Sequence, residues 1–253
     1  SGQQWTCSFD SEFTGTTLNT SQWTVQQTSS SGYTDGPANN PPCFVDNPNN
    51  VSVGGGYLTL TVRQVAPFTC TKPLGSFRAN YTAGEVTSYF KWSQEYGLFE
   101  VRAKLPTASV SGLLDTLWLY PSEERLYGGG GASGEIDFAE WWSQYPNWDI
   151  PVIHYNNQIG DPNSTTHCDI TPGQFNVYGV EWTPLNITIL VNGSVCLQDD
   201  WDPLPPQTKP EPFNQPFTIN LTQALAPSGF SSSTPLPASL EVQWVRVWTE
   251  NGS

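Results

Sequence analysis

The sequence predicts an all-β protein, a sandwich of two antiparallel sheets, on three observations. Apolar and polar residues alternate with period two in several segments. Clusters of Gly, Pro and Asn separate those segments. No stretch keeps a helical period between caps. A chain of 253 residues is within the range of one large β domain, so residues 1–253 are expected to form a single unit.

"YLTLTVRQ" (57–64) puts Leu58, Leu60 and Val62 on one side. "GLFEVRAKL" (97–105) opposes Phe99, Val101, Ala103 and Leu105 to Glu100, Arg102 and Lys104. "VYGVEWT" (177–183), "NITILV" (186–191) and "LEVQWVRVWTE" (240–250) follow the same rule, and "VNGSV" (191–195) carries the Asn-Gly signal of a tight hairpin. Residues 26–50, 121–134, 199–216 and 226–239 are rich in turn formers and read as loops. The "GGGG" run has no Lys-Ser/Thr after it and is a flexible loop beside a cleft, not a phosphate cradle. Ser133 in "GASGE" lacks the pattern of a nucleophile elbow.

Net charge is −14, which repels phosphate backbones and anionic bilayers, so neither nucleic acid nor membrane is an expected partner. Aromatic residues make up 13% of the chain, more than a core requires, so some are expected to line a groove. The five cysteines include no C-x-x-C pair, and only two His are present, which disfavours a zinc site. Disulfides in an oxidising compartment fit better. Cys43–Cys70 and Cys168–Cys196 are the expected pairs, each bracketing a strand-rich stretch, with Cys7 left over. Eight N-x-S/T sequons, at Asn19, Asn50, Asn80, Asn163, Asn186, Asn192, Asn220 and Asn251, lean toward a secretory route. A mature extracellular protein, its signal peptide already removed, is the expectation.

"GEIDFAEWW" (134–142) carries the chemistry. Strict alternation would put Glu135 and Asp137 on one face and Glu140 on the other. A bulge at Phe138–Ala139 restores the phase and aligns all three carboxylates. The outer two Cα atoms then lie roughly 13 Å apart at a rise of about 3.3 Å per residue. Side chains leaning inward bring the carboxyls to roughly 5 Å, the separation of a retaining glycosidase. One carboxylate attacks the anomeric carbon and the other, held protonated, gives its proton to the leaving oxygen. Crowded like charges raise a pKa and supply that proton. Trp118, Trp141, Trp142 and Trp148 give the acids an aromatic neighbourhood. A bell-shaped pH profile with an acidic optimum is expected.

This segment resembles the E-[ILV]-D-x-x-E signature of glycoside hydrolase family 16 in its bulged, laminarinase-like form. The resemblance extends through "FDSEF" (9–13), "NVSVGGGYLTLTVR" (50–63), "YGLFEVRAKLP" (96–106), "LWLYP" (117–121), "VYGVEWTPLNITILVNG" (177–193) and "VQWVRVW" (242–248). It implies a β-jelly-roll of two curved sheets with sugar bound in a concave cleft. By motif position Glu135 is the nucleophile, Asp137 its helper and Glu140 the acid/base. The resemblance adds Trp118, His154 and Asn220 as substrate-binding candidates. Of Trp141 and Trp142, one faces the sugar and the other the core; Trp141 is taken as the substrate-facing candidate. "INLTQALAPSG" (219–229) keeps Asn220 without the double Gly of laminarinases. Gln243 stands where many members place a calcium-binding Asp, although Glu12 remains, so no metal and no cofactor is expected. The implied activity is endo-hydrolysis of β-1,3-glucan by a monomer acting on a neutral polysaccharide. A mixed-linkage glucan or galactan substrate, transglycosylation, and a sugar-binding jelly roll without turnover are the alternatives.

Overall fold

Alternation becomes strand after strand in the computed structural model, which describes residues 4–129, 131–157, 163 and 166–250. The chain begins with β1 (Trp5–Ser11) and β2 (Thr24–Val25), then a single helical turn, α1 (Thr28–Ser31). β3 (Cys43–Phe44) and β4 (Val51–Gly54) lead into two long strands, β5 (Tyr57–Thr71) and β6 (Ser76–Thr87). Next come β7 (Gly97–Lys104), β8 (Leu113–Pro121) and β9 (Glu135–Trp142). The short β10 (Trp148–Asp149), β11 (Val152–His154) and β12 (Cys168–Asp169) precede β13 (Phe175–Trp182). β14 (Ile187–Val191) and β15 (Ser194–Asp199) form the Asn-Gly hairpin, with Asn192 and Gly193 both at positive φ. β16 (Phe217–Leu225) and β17 (Ala238–Glu250) complete the fold.

The strands form two layers, as the alternation requires. One runs β5-β17-β7-β13-β14-β15, with β1 and β4 added at its side. The other runs β11-β9-β8-β16-β6, flanked by β2. The layers are not separate sheets: β5 and β6 are long enough to pair with both, so one hydrogen-bonded path passes through them. Inward residues such as Phe99, Val101, Val180 and Trp182 meet Leu117, Leu119, Ile136 and Ile219 from the second layer in one core. Burying a side chain of that size contributes roughly 1.5–3 kcal/mol.

Both expected disulfides form, Cys43–Cys70 and Cys168–Cys196, and Cys7 is free and exposed. Two sequons are poor glycan acceptors. Asn50 is buried and its Nδ2 donates to the Thr61 carbonyl, and Asn220 is buried in the second layer. The sequon at Asn251 and the glycine at position 130 lie outside the described residues. Ser133 is buried, accepting from the Tyr127 N–H and donating to the Gly128 carbonyl, which holds the preceding loop closed.

Candidate active site

The bulge falls where the acidic strand needs it. Along β9, Ile136 pairs with Leu119 and Asp137 with Trp118, but the next residue of β8, Leu117, pairs with Ala139. Phe138 is therefore the extra residue, and its ring drops into the core. Phase is restored at Glu140, opposite Thr116. Gly134 lets the chain turn into the strand at φ +84, where a Cβ would sit 2.8 Å from the Phe213 ring.

Asp149 secures the bend. It is fully buried, and its Oδ1 accepts the Glu140 N–H at 3.0 Å, while the Ile150 N–H donates to the Glu140 carbonyl at 2.9 Å. Burial pushes the Asp149 carboxyl well above its ordinary value. An amide of the same shape should therefore serve, and Asp149→Asn is expected to melt close to wild type. Asp149→Ala strands a buried N–H and opens a cavity, which should cost about 2–4 kcal/mol and lower kcat by loosening Glu140. Thermal melts and rates of the two variants check this. An alanine variant as stable and active as wild type would remove Asp149 from the account.

The outward face of the second layer is the floor of a cleft of about 1010 Å³. Glu135, Asp137, Glu140 and Trp142 of β9 lie in it, with Trp118 and Tyr120 of β8 beside them. His154 on β11 pairs across from Glu135, and its Nε2 lies 2.9 Å from Asp137 Oδ2. Asn220 pairs with Trp118 and lines the floor, Nδ2 directed at Thr218 Oγ1 at 3.5 Å. Five of the proposed substrate and catalytic side chains thus meet Glu135 in one cleft.

Trp141 does not. It is fully buried on the core side, Nε1 donating to the Pro146 carbonyl at 2.9 Å. The reason is the same phase that fixes the acids. Once Glu140 faces the cleft, alternation turns Trp141 inward and Trp142 outward. Trp142 is the ring in the cleft, with Nε1 3.4 Å from Glu140 Oε2.

Electrostatics follow from crowding. Burial first, then the Asp137 charge, pushes the Glu135 carboxyl up to about 8. Asp137 is raised well above its ordinary value by burial and by Glu140, and Glu140 is raised mainly by burial. Asp137 and Glu135 share a hydrogen bond. The cluster therefore retains protons above the usual carboxylate range and titrates as a unit. Glu135, Asp137 and His154 also offer one ligand-type atom each within 4.8 Å of one another. Asp137 Oδ2 is engaged by His154, which suits proton handling. On the first layer, Arg246 binds Glu12 at 2.6 Å, and Arg102 donates to Gln243, so cationic side chains occupy the neighbourhood of both residues.

Besides Asp149, two acids in the cleft wall escaped the sequence reading. Glu85 pairs across from Thr222 and is buried in the cleft wall, and Asp35 reaches the same wall from the loop after α1. A chain of hydrogen bonds runs from Trp118 Nε1 to Thr222 Oγ1 (2.9 Å), and from Thr222 Oγ1 to Glu85 Oε2 (3.0 Å). It fixes the Trp118 indole. No local motif marks these positions, because the pairing comes from strands over a hundred residues apart in sequence.

Burial pushes Glu85 up to about 8, from 4.5 for a free carboxyl. The folded value lies above the unfolded one, so protonated Glu85 stabilises the fold below pH 4.5. That contribution is lost toward pH 8, by roughly 1.4 kcal/mol per unit. Glu85→Gln should flatten the fall in melting temperature between pH 5 and pH 8. An equally steep fall in the variant would show that Glu85 is not its source.

Comparison with known proteins agrees with this geometry. Residues 38–223 match the family described as Glycosyl hydrolases family 16. A Glucan endo-1,3-beta-glucosidase A1 of Niallia circulans is 30% identical over 94% of this chain and 37% of its own length. A Beta-glucanase of Rhodothermus marinus is 31% identical over 79% of this chain and 71% of its own. A Keratan-sulfate endo-1,4-beta-galactosidase of Sphingobacterium multivorum is 31% identical over 66% of this chain and 40% of its own. The chain thus spans well under half of the first and third of these relatives. Among solved structures, the laminarinase of Rhodothermus marinus superposes with a TM-score of 0.78 at 24% identity, covering 98% of both chains, which supports the jelly-roll architecture. The bulged acidic strand, the cleft above it and the matched span together make this chain a member of glycosyl hydrolases family 16.

Proposed function

We propose that this glycoside hydrolase is a secreted, retaining endo-β-1,3-glucanase. The observation that carries the reading is the bulge at Phe138, which puts Glu135, Asp137 and Glu140 on the floor of one open cleft. On the partner strand the span from Glu135 to Glu140 corresponds to four residues, roughly 13 Å between Cα atoms. Two glutamates leaning inward across that span suit double displacement. An open cleft, not a closed pocket, suits attack within a chain. Two disulfides favour an oxidising compartment, and no described helix is long and apolar enough to cross a membrane.

The three carboxyls share their protons, and the reacting state is the one with Glu140 protonated and Glu135 ionised; in the first step that Glu135 carboxylate bonds to the anomeric carbon. The glycosidic bond breaks, and its oxygen takes the Glu140 proton. Asp137, hydrogen-bonded to Glu135 and held by His154, steadies the nucleophile's charge as it is lost. In the second step Glu140 takes a proton from water, the water oxygen bonds to the same carbon, and Glu135 leaves as carboxylate. Two inversions give retention. Trp118 and Trp142 offer flat apolar faces to sugar rings, and Asn220 and Thr218 offer hydrogen-bonding groups to hydroxyls.

The cleft favours a neutral glycan. Asp35, Glu85, Glu124, Glu135, Asp137 and Glu140 line it, and no Lys or Arg is among the lining residues. A sulfated galactan would meet a cleft rich in carboxyl groups with no Lys or Arg among its described lining residues. Mixed-linkage glucan fits the same electrostatics and is the second reading, supported by a relative named Endo-1,3-1,4-beta-glycanase EglC. Assay of laminarin, lichenan, agarose and xyloglucan with product sizing tests the choice. Short glucose oligomers from laminarin are the expected products. Activity confined to agarose would overturn the proposal.

A further inference from the structure

Beyond β6 the chain makes a tight turn, "SYFKW" (88–92), that holds an aromatic ring out in solvent. Phe90 is 89% exposed. It also sits at φ 63, a left-handed conformation that a bulky side chain adopts at a cost in stability. The turn around it is firmly held. The Ser88 carbonyl accepts N–H bonds from Lys91 and Trp92 at 2.9 Å, and Ser88 Oγ donates to the Trp92 carbonyl at 2.8 Å. Trp92 packs inward against Phe9, ring centroids 4.7 Å apart. Tyr89 braces Phe90, centroids 4.1 Å apart at 52°. Strain and exposure together have no structural benefit, and a glycine would make the same turn without either.

The turn lies on the cleft. Tyr89 and Phe90 both line it, together with Tyr120, Thr218 and Glu124. The ladder fixes their place. Ser88 exchanges hydrogen bonds with Ile219, next to Thr218, and Thr218 pairs with Tyr120. Tyr120 follows Leu119, whose partner Ile136 follows Glu135. From β9 across β8 and β16 to β6 is three strand spacings, roughly 14 Å. A single sugar ring at the carboxylates does not reach that far, but a glucan lying across the strands does.

We propose that Phe90, braced by Tyr89, is a distal stacking platform for a sugar ring of the bound glucan, several residues from the bond that is cleaved. The ring's exposed face takes the apolar face of a sugar, and Glu124 and Thr218 beside it accept from hydroxyls. This rests on the β-glucan reading above. It adds a binding position and a cause for chain-length preference.

The test is kcat/KM for Phe90→Ala and Phe90→Gly on β-1,3-glucan oligomers of three to eight residues, with thermal melts of each. Wild type should gain with length. Both variants should lose that gain, roughly three- to tenfold on the longest oligomers given the usual strength of aromatic contacts, and match wild type on the shortest one cleaved. Phe90→Gly should melt no lower than wild type, because it relieves the turn. An unchanged length dependence would overturn the platform. An equal loss at every length would also overturn it, by showing general damage. Wild type inactive on every oligomer would instead sink the glucanase reading, and the platform with it.

Discussion

Glu135→Ala should abolish hydrolysis, by roughly 10⁴-fold or more, while the variant still binds oligosaccharide. As the proposed nucleophile, Glu135 would form the covalent intermediate itself, so no neighbour should replace it. Binding should survive because the side chains proposed to hold the sugar stay in the cleft: Trp118, fixed through Thr222 and Glu85, and Trp142 and Asn220. Removing one carboxyl from a crowded, buried set also relieves repulsion and desolvation, so the variant should melt no lower than wild type. Rates on laminarin, with calorimetric titration of an oligomer, separate the two effects. Wild-type turnover in the variant would remove Glu135 as nucleophile.

Glu140→Ala should produce a different signature. Hydrolysis of natural glucan should fall by roughly 10²–10⁴-fold, the usual contribution of a general acid–base group. Aryl glycosides with acidic leaving groups need no protonation, so formation of the intermediate should proceed with them. Added azide should then accelerate turnover and yield a glycosyl azide. Burial raises Glu140, so in wild type the acid stays protonated above the ordinary carboxylate range. The alkaline limb of the bell-shaped profile should therefore lie above that range and vanish with activated substrates in the variant. A variant indifferent to leaving group and azide would place the acid/base elsewhere.

Much of this was legible in the sequence, for identifiable reasons. Period-two alternation predicts the layers because each strand buries one face, and "GLFEVRAKL" is buried at every second residue as β7. The bulge was legible because three carboxyls in six residues are useful only on one face. The same reasoning, carried one residue further, turns Trp141 inward and Trp142 outward. The expectation of Trp141 as the sugar-facing ring is corrected by that phase: Trp141 is buried and Trp142 lines the cleft. Glu85, Asp35 and Asp149 were not legible. Each is an ordinary acid in its local segment; Glu85 meets Thr222 only through strand pairing far along the chain, and Asp149 comes under the bulge only because the chain turns back after β9. The continuous path through β5 and β6 was hidden for the same reason: it depends on how far two long strands extend past one layer into the next.

The most direct measurement is the configuration of the first sugar product, followed by proton NMR before mutarotation sets in. The proposed double displacement predicts that a β-linked glucan releases the β-anomer first. Initial appearance of the α-anomer would mean that water attacks directly, and would contradict the covalent role assigned to Glu135.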